Sequence, residues 1–467
     1  MRRSISAARI LTAIGVLSGC TAGPRYKRPA VDAPPVYRDA DSVSYQAASS
    51  TASVGDLTWF EVFHDEPLKA LITEALDRNY DVRIAAQRVF EQQAQGGITR
   101  SQSLPSLNGG ASYSAVGLPS GPLADGLPSK FYGGTASAAW NLDFWGLYRR
   151  QNEAARAQLL ATEWGRRTTL STIVIQVATA YIQLRTLDDQ LDMTRATLES
   201  RRESLRLVSL RESAGSTTMA DVHQAEQLLY AAEAVLPNLE RQSREQENNL
   251  SLLLGRNPGP ISRGKGNPEP PHPQEIPAGI PSQLLTRRPD IQRAEAQLIA
   301  ANARIGAARA QFFPQFSLTG VGGTMTSQFD KFLSPDSRYW LAAGMISLPI
   351  FTGGKLRNDL RLANETKQEM ALAYQRTIAT AFRDVANALI SYQKSKEIRS
   401  AQEKEVNAAG ESVRLARLRY DNGRSSYLEV LTNDTNLFAA QLNLAGARQQ
   451  EALWLVQLYG ALGGGWK

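Results

Sequence analysis

The chain has 467 residues, 42% hydrophobic and 21% charged, a balance that excludes a disordered chain and a helical membrane protein. Its formal net charge is +7, and Arg2, Arg3 and Arg9 of the amino-terminal leader supply part of it; what remains is too even, and too free of basic runs, for nucleic acid. Cys20 is the single cysteine, so no internal disulfide and no cysteine metal cluster is expected. His64, His223 and His272 are scattered, leaving no nucleophile–base pair and no metal site, so neither an enzyme nor a cofactor is expected.

Residues 1–19 read as a signal peptide. Arg2 and Arg3 precede a short apolar core of Ile10, Leu11, Ala13, Ile14, Val16 and Leu17, too short to span a bilayer. Leu17-Ser18-Gly19-Cys20 resembles the bacterial lipobox, which implies an acylated Cys20 after cleavage. Position 21 is Thr21; in similar lipoproteins an Asp there retains the protein at the inner membrane, so an outer-membrane address is expected. Several acyl chains, at roughly 0.8 kcal/mol per buried methylene, make a strong anchor. Residues 20–56, with Pro24, Pro29, Pro34 and Pro35, read as an extended tether.

The rest of the chain is duplicated. Leu104-Pro105-Ser106-Leu107 matches Phe313-Pro314-Gln315-Phe316, and Asp81 with Ala85 matches Asp290 with Ala294, at an offset of 209. Gly215 then answers Gly423, Asp221-Val222 answers Glu429-Val430, and Leu254-Gly255 answers Leu462-Gly463, at an offset of 208. Shared Pro and Gly punctuation is what separates this from chance helical similarity. The repeats are placed at 57–257 and 282–467, joined by a proline-rich extended linker at 258–281.

Within each repeat the pattern predicts helix, strand hairpin, long helix, turn, helix. Residues 148–211 lack proline and carry only Gly165, and a seam of Ile173, Val177, Ala180, Leu184, Leu187, Leu191, Thr194, Leu198, Arg201, Leu205 and Val208 alternates by four and three. Helices are also predicted over about 217–254 and 355–420, and the heptad spacing from Val430 to Ala461 makes a fourth. The small and polar seam members suit a wide ring of helices, although heptads alone also fit an ordinary antiparallel hairpin.

Strands are expected at about 106–117, 131–145, 314–326 and 338–351, with exposed loops at 118–130 and 326–337. Their period-two faces (Leu107 to Tyr113; Tyr132 to Phe144; Trp340 to Ile350) fit tilted barrel strands, apolar outside and polar inside. A soluble antiparallel sheet would alternate similarly. Four strands cannot close a barrel, for which about eight is the working minimum. In lipid an open edge leaves backbone groups unsatisfied, so several chains would have to share one barrel.

The lipobox, the duplication and this element order together resemble the TolC-like outer-membrane efflux proteins, in their lipoprotein (NodT-type) branch serving resistance-nodulation-division pumps. Gly23-Pro24-Arg25-Tyr26-Lys27-Arg28-Pro29, Trp59-Phe60, Arg288-Pro289-Asp290-Ile291, Pro349-Ile350-Phe351 and Ala461-Leu462-Gly463-Gly464-Gly465-Trp466 carry the likeness. It implies a mainly α fold with a transmembrane β-barrel: a homotrimer with a twelve-strand barrel and an α-helical tunnel extending into the periplasm. It implies a periplasmic adaptor (membrane fusion protein), an inner-membrane pump and outer-membrane lipid as partners. The function implied is a passive exit duct for drugs or other small molecules. An exit duct for type I protein secretion shares the fold, and a periplasmic coiled-coil adaptor lipoprotein shares the lipobox and long hairpins but not the duplication.

The turns at Ala214-Gly215-Ser216 and Asn422-Gly423-Arg424 would be the distal tips, where the resemblance implies adaptor docking. It also implies a narrowed mouth just past the second tip. There Leu428 matches an apolar constriction residue, with interhelix packing as its ordinary alternative, and Thr432 stands where many relatives carry a carboxylate. Asp434 is a third candidate, but two positions on it lies roughly 200° around the helix from Thr432.

Overall fold

The computed structural model describes residues 21–31, 34, 53–117, 130–264 and 281–466. The signal peptide, Cys20, the loop at 118–129 and most of the tether and linker lie outside them. The elements are α1 (Trp59–Val62), α2 (Glu66–Arg78), α3 (Tyr80–Ser101), β1 (Ser106–Ala115), β2 (Lys130–Leu142), α4 (Leu147–Ser213) and α5 (Met219–Leu253). After the linker come α6 (Leu284–Arg287), α7 (Pro289–Ala310), β3 (Gln315–Thr326), β4 (Arg338–Ser347), α8 (Lys355–Asp421) and α9 (Tyr427–Ala461).

The halves match in length as well as in order. α3 and α7 have 22 residues each, α4 and α8 have 67 each, and α5 and α9 have 35 each. A 67-residue helix is about 100 Å long at 1.5 Å per residue. α5 runs on through Pro237. No described helix is long and apolar enough to cross a membrane.

The described residues form two compact units. One comprises 21–30, Arg88–Glu163 and Arg293–Gln375 and holds the sheet, antiparallel in the order β1-β2-β3-β4. Cross-strand partners share a face. The register Tyr113↔Tyr132, Trp140↔Leu318, Leu142↔Phe316, Phe316↔Ile346 and Gly322↔Trp340 therefore gathers most of the aromatic residues of the four strands on one face. The other face carries Asn108, Ser112, Thr135, Ser137, Ser317 and Thr319, with Val321, Leu341 and Met345 among them. Among the described residues, the free sides of β1 and β4 pair with no strand.

Three strands stop short of their expected ends. β1 ends at Ala115, β2 at Leu142 and β4 at Ser347, not at 117, 145 and 351. Pro349 has no N–H to give a ladder, and Gly146, Gly353 and Gly354 take positive φ where the chain turns into the long helices. The stretch 327–337, expected only as an exposed loop, contains two short 3-10 turns, Phe329–Lys331 and Pro335–Ser337.

The same unit holds the beginning of the tether as a strap. The Ala22 N–H donates to the Trp145 carbonyl at 3.0 Å, and Asn302 donates to the Pro24 carbonyl at 3.1 Å. Arg28 forks onto Glu295 through two bonds of 2.6 Å, joined by the Tyr26 hydroxyl at 3.2 Å. Glu295 is buried, and a charge-assisted fork is the arrangement that makes such burial tolerable.

The other unit is helical. Its core joins Trp59, Phe63, Leu68 and Ile72 to Ile173, Val177, Tyr181 and Leu184 of α4, Leu250 of α5, Val385 and Tyr392 of α8, and Leu455, Leu458 and Tyr459 of α9. Most α4 seam positions are buried, with Leu187 and Leu205 half-buried. Glu451 and Arg201, polar members of the heptad positions, are buried too and are paired with Arg399 and Asp434.

Candidate functional site

The two helix-to-helix turns end α4 and α8 in the same way. Gly215 (φ +72°) donates to the Glu212 carbonyl and Ser216 to that of Arg211, both at 2.8 Å. Gly423 (φ +67°) donates to Tyr420 at 2.9 Å and Arg424 to Arg419 at 2.8 Å. This double bond pattern closes the carbonyls that a helix end leaves open, and the left-handed residue it requires is the reason for glycine. Nothing stands within 4 Å of a Cβ built on either glycine, so both turns present open surface. Ala214, Gly215, Ser216, Asn422, Gly423 and Arg424 thus lie on exposed turns.

The helices that leave the turns start differently. At α5, Thr218 and Asp221 form a capping box: Thr218 N–H donates to the Asp221 carboxylate at 3.1 Å and Asp221 N–H to Thr218 Oγ1 at 3.4 Å. Thr217 adds a hydroxyl bond of 2.6 Å to the same carboxylate. The Thr217 bond first, then those from Thr218, hold the Asp221 carboxyl below its ordinary value of 3.8. At α9, Ser426 makes no side-chain cap.

Side chains from both hairpins meet just above the turns. Val208, Val222 and Ala225 pack with Ala416, Tyr427, Val430 and Leu431. Arg201 donates to Asp434 Oδ2 at 3.1 Å and to the Leu228 carbonyl at 2.8 Å, and Arg417 donates to Asp434 Oδ1 at 3.3 Å. Arg201 is 5% exposed, so this is an ion pair shielded from water. Nearer the turns, Arg211 donates to Asp421 at 2.9 Å and lies over the Tyr420 ring, 5.0 Å from its centre. Burial, then the neighbouring Tyr420 and Asp434, pushes the Tyr427 hydroxyl up to about 12, so it stays protonated.

The three constriction candidates separate. Leu428 is 55% exposed, and Thr432 is exposed with its hydroxyl bonded back to the Leu428 carbonyl at 2.9 Å. Asp434 is committed to Arg201 and Arg417 within the helix contact, so it does not join the exposed face of the other two. In the sequence Arg201 shows only as a seam member, and Arg211, Arg417 and the Thr218 cap do not stand out. A charged residue at a heptad core position, as Arg201 is, was the available signal, because such a charge needs a partner.

Comparison with known proteins adds the family. The model for outer membrane efflux proteins matches residues 71–256 and 280–464. The chain is 36% identical over 457 residues to the solvent efflux pump outer membrane protein SrpC of Pseudomonas putida, covering 97% of each chain. It is 33% identical over 450 residues to the cation efflux system protein CusC of Escherichia coli K12, covering 96% of this chain and 97% of CusC. The crystal structure of the open state of the Neisseria gonorrhoeae MtrE outer membrane channel superimposes with a TM-score of 0.87 at 32% identity. That match covers 96% of this chain and 99% of MtrE.

Proposed function

The chain belongs to the outer membrane efflux protein family, and on that premise we propose that three copies close one barrel in the outer membrane and one helical tunnel below it. The observation that carries this reading is the sheet: four strands, one aromatic-rich face, and β1 and β4 unpaired at its edges among the described residues. Each unsatisfied backbone group in hydrocarbon costs several kcal/mol, so such a sheet is tolerable in lipid only when identical copies supply its missing neighbours. Three copies give twelve strands, above the eight that a closed barrel needs.

The duct makes and breaks no bond. It offers small molecules a wet path through the membrane, while an inner-membrane resistance-nodulation-division pump supplies the work and a periplasmic adaptor bridges the two. SrpC is named for solvents and CusC for cations, so the cargo class proposed is small molecules rather than proteins. Adaptor docking is placed at the turns around Gly215 and Gly423, flanked by exposed Leu207, Leu210, Met219, Leu415 and Leu418. The gate is placed at Leu428 and Thr432. Opening is a shift of the second turn, favoured by adaptor contacts that are better in the open state.

Acylation is assigned to Cys20, two residues before the Ala22 N–H that bonds Trp145 at the foot of β2.

Planar-bilayer conductance of the purified protein tests the duct. Discrete channel steps from a species that crosslinks as a trimer are expected; a monomer without conductance overturns the reading.

A further inference from the structure

The loop between β3 and β4 lies at the end of the sheet away from the helices, since β2 leads into α4 and β3 follows α7 only at the opposite end. A loop at a channel mouth would be expected to stay hydrated. This one folds back onto the sheet. A Cβ at Gly134 would stand 2.9 Å from the Phe332 ring, so the missing side chain is the space that Phe332 fills. Gly134 pairs with Thr324 and is two residues from Tyr132, so the face covered is the aromatic-rich one. Phe329 meets Tyr132 at 5.3 Å between ring centres, and Tyr132 meets Tyr113 at 5.1 Å, giving a row of rings from the loop across β2 to β1.

The loop's fold is fixed from within as well. Ser337, buried, has its hydroxyl near the carbonyls of Ser334, Phe332 and Lys331 at 2.7, 3.2 and 3.0 Å, and the Ser334 hydroxyl accepts from the Asp336 N–H at 3.4 Å. These contacts hold Phe332 inward and present Phe329, 70% exposed, and Leu333, 79% exposed. Two large apolar side chains held out by an ordered loop have a cost in water unless something covers them.

We propose that this loop is a membrane-interface anchor: Phe329 and Leu333 enter the acyl–headgroup boundary of the leaflet at the far rim of the barrel. The occupant is lipid because Phe329 packs on Tyr132 and so continues the face that carries Tyr113 and Trp140, and aromatic side chains collect where a barrel's apolar band meets headgroups. The loop's own charges, Asp330 and Asp336 against Lys331, leave one negative charge, which Arg338 at the start of β4 balances. Recognition is therefore by apolar surface and not by headgroup charge. A second copy of the chain is the competing occupant, but Phe329 and Phe332 lean over β2 of their own chain, away from the β4 edge. The inference rests on the barrel reading, and its test separates the two.

Leu333→Cys and Ile346→Cys each add one thiol, and the unsubstituted protein, whose only cysteine is Cys20, serves as the labelling blank. Each is labelled with an environment-sensitive fluorophore and reconstituted in phosphatidylcholine vesicles, with nitroxide-bearing lipid or aqueous iodide as quencher. The expected result is blue-shifted emission at both positions, lost to the nitroxide lipid and retained against iodide. Lipid quenching at 346 with iodide quenching at 333 overturns the anchor and leaves the barrel standing. Shielding of 333 from both quenchers, in a protein whose 346 label meets lipid, overturns it in favour of cover by another copy. Iodide quenching at both positions removes the barrel reading itself.

Discussion

The two helical turns occupy matching positions in the two repeats, yet they are held by different means. Both end a 67-residue helix on a left-handed glycine. The first then restarts through a cap in which Thr217, Thr218 and Asp221 share four hydrogen bonds. The second restarts at Ser426 without one; Arg417 of its own hairpin holds Asp434, and two pairs reach across to the first hairpin, Asp434 to Arg201 and Asp421 to Arg211. A local cap is satisfied whatever the neighbouring hairpin does. Cross-hairpin pairs exist only while the hairpins are adjacent. The difference makes the second turn the conditional one, which is why the gate is placed there.

The largest effect is expected from Arg201→Ala, which leaves the Asp434 carboxylate short of its buried partner at a cost of about 3 kcal/mol. Hydrogen exchange should rise in Tyr427–Asp434 more than in Thr218–Ala225, and open-channel time in bilayers should lengthen; equal loosening of both hairpins would erase the asymmetry. Gly423→Ala and Gly215→Ala should each cost about 1–2 kcal/mol, because an L side chain must enter the left-handed region. Melting of the two variants should match, since the turns share this feature; a large disparity would mean that something else distinguishes them.

Removing the cap with Thr218→Ala should cost about 1 kcal/mol, confined to exchange at the start of α5. The pH dependence has a definite sign. Asp221's folded value is depressed below 3.8, so its contribution is fully present above 3.8 and is lost as pH falls through the lower folded value. Exchange at the start of α5 should quicken in that acid window in the parent chain and lose this dependence in Asp221→Asn. The smallest effect belongs to Arg211→Ala: both partners are solvent-exposed, and about 0.5 kcal/mol is expected, decreasing with added salt.

Much of this fold was legible because it is periodic. Heptads marked the long helices, alternation marked the strands, and Leu104-Pro105 against Phe313-Pro314 exposed the duplication whose halves turn out equal in helix length. What escaped reading was aperiodic. Arg201 meets Asp434, 233 positions away, and Arg28 meets Glu295, 267 positions away; neither pair leaves a local trace. The 327–337 loop was read from its composition, which carries no sign that Phe332 fills the space over Gly134. Leu428 and Thr432 came from a motif match, and both are exposed on α9.

Native mass spectrometry of the detergent-released protein tests the shared barrel most directly. The account predicts a species of three chain masses that persists at dilution. A single-chain mass, with the amides of β1 and β4 exchanging freely along their outer sides, would contradict it.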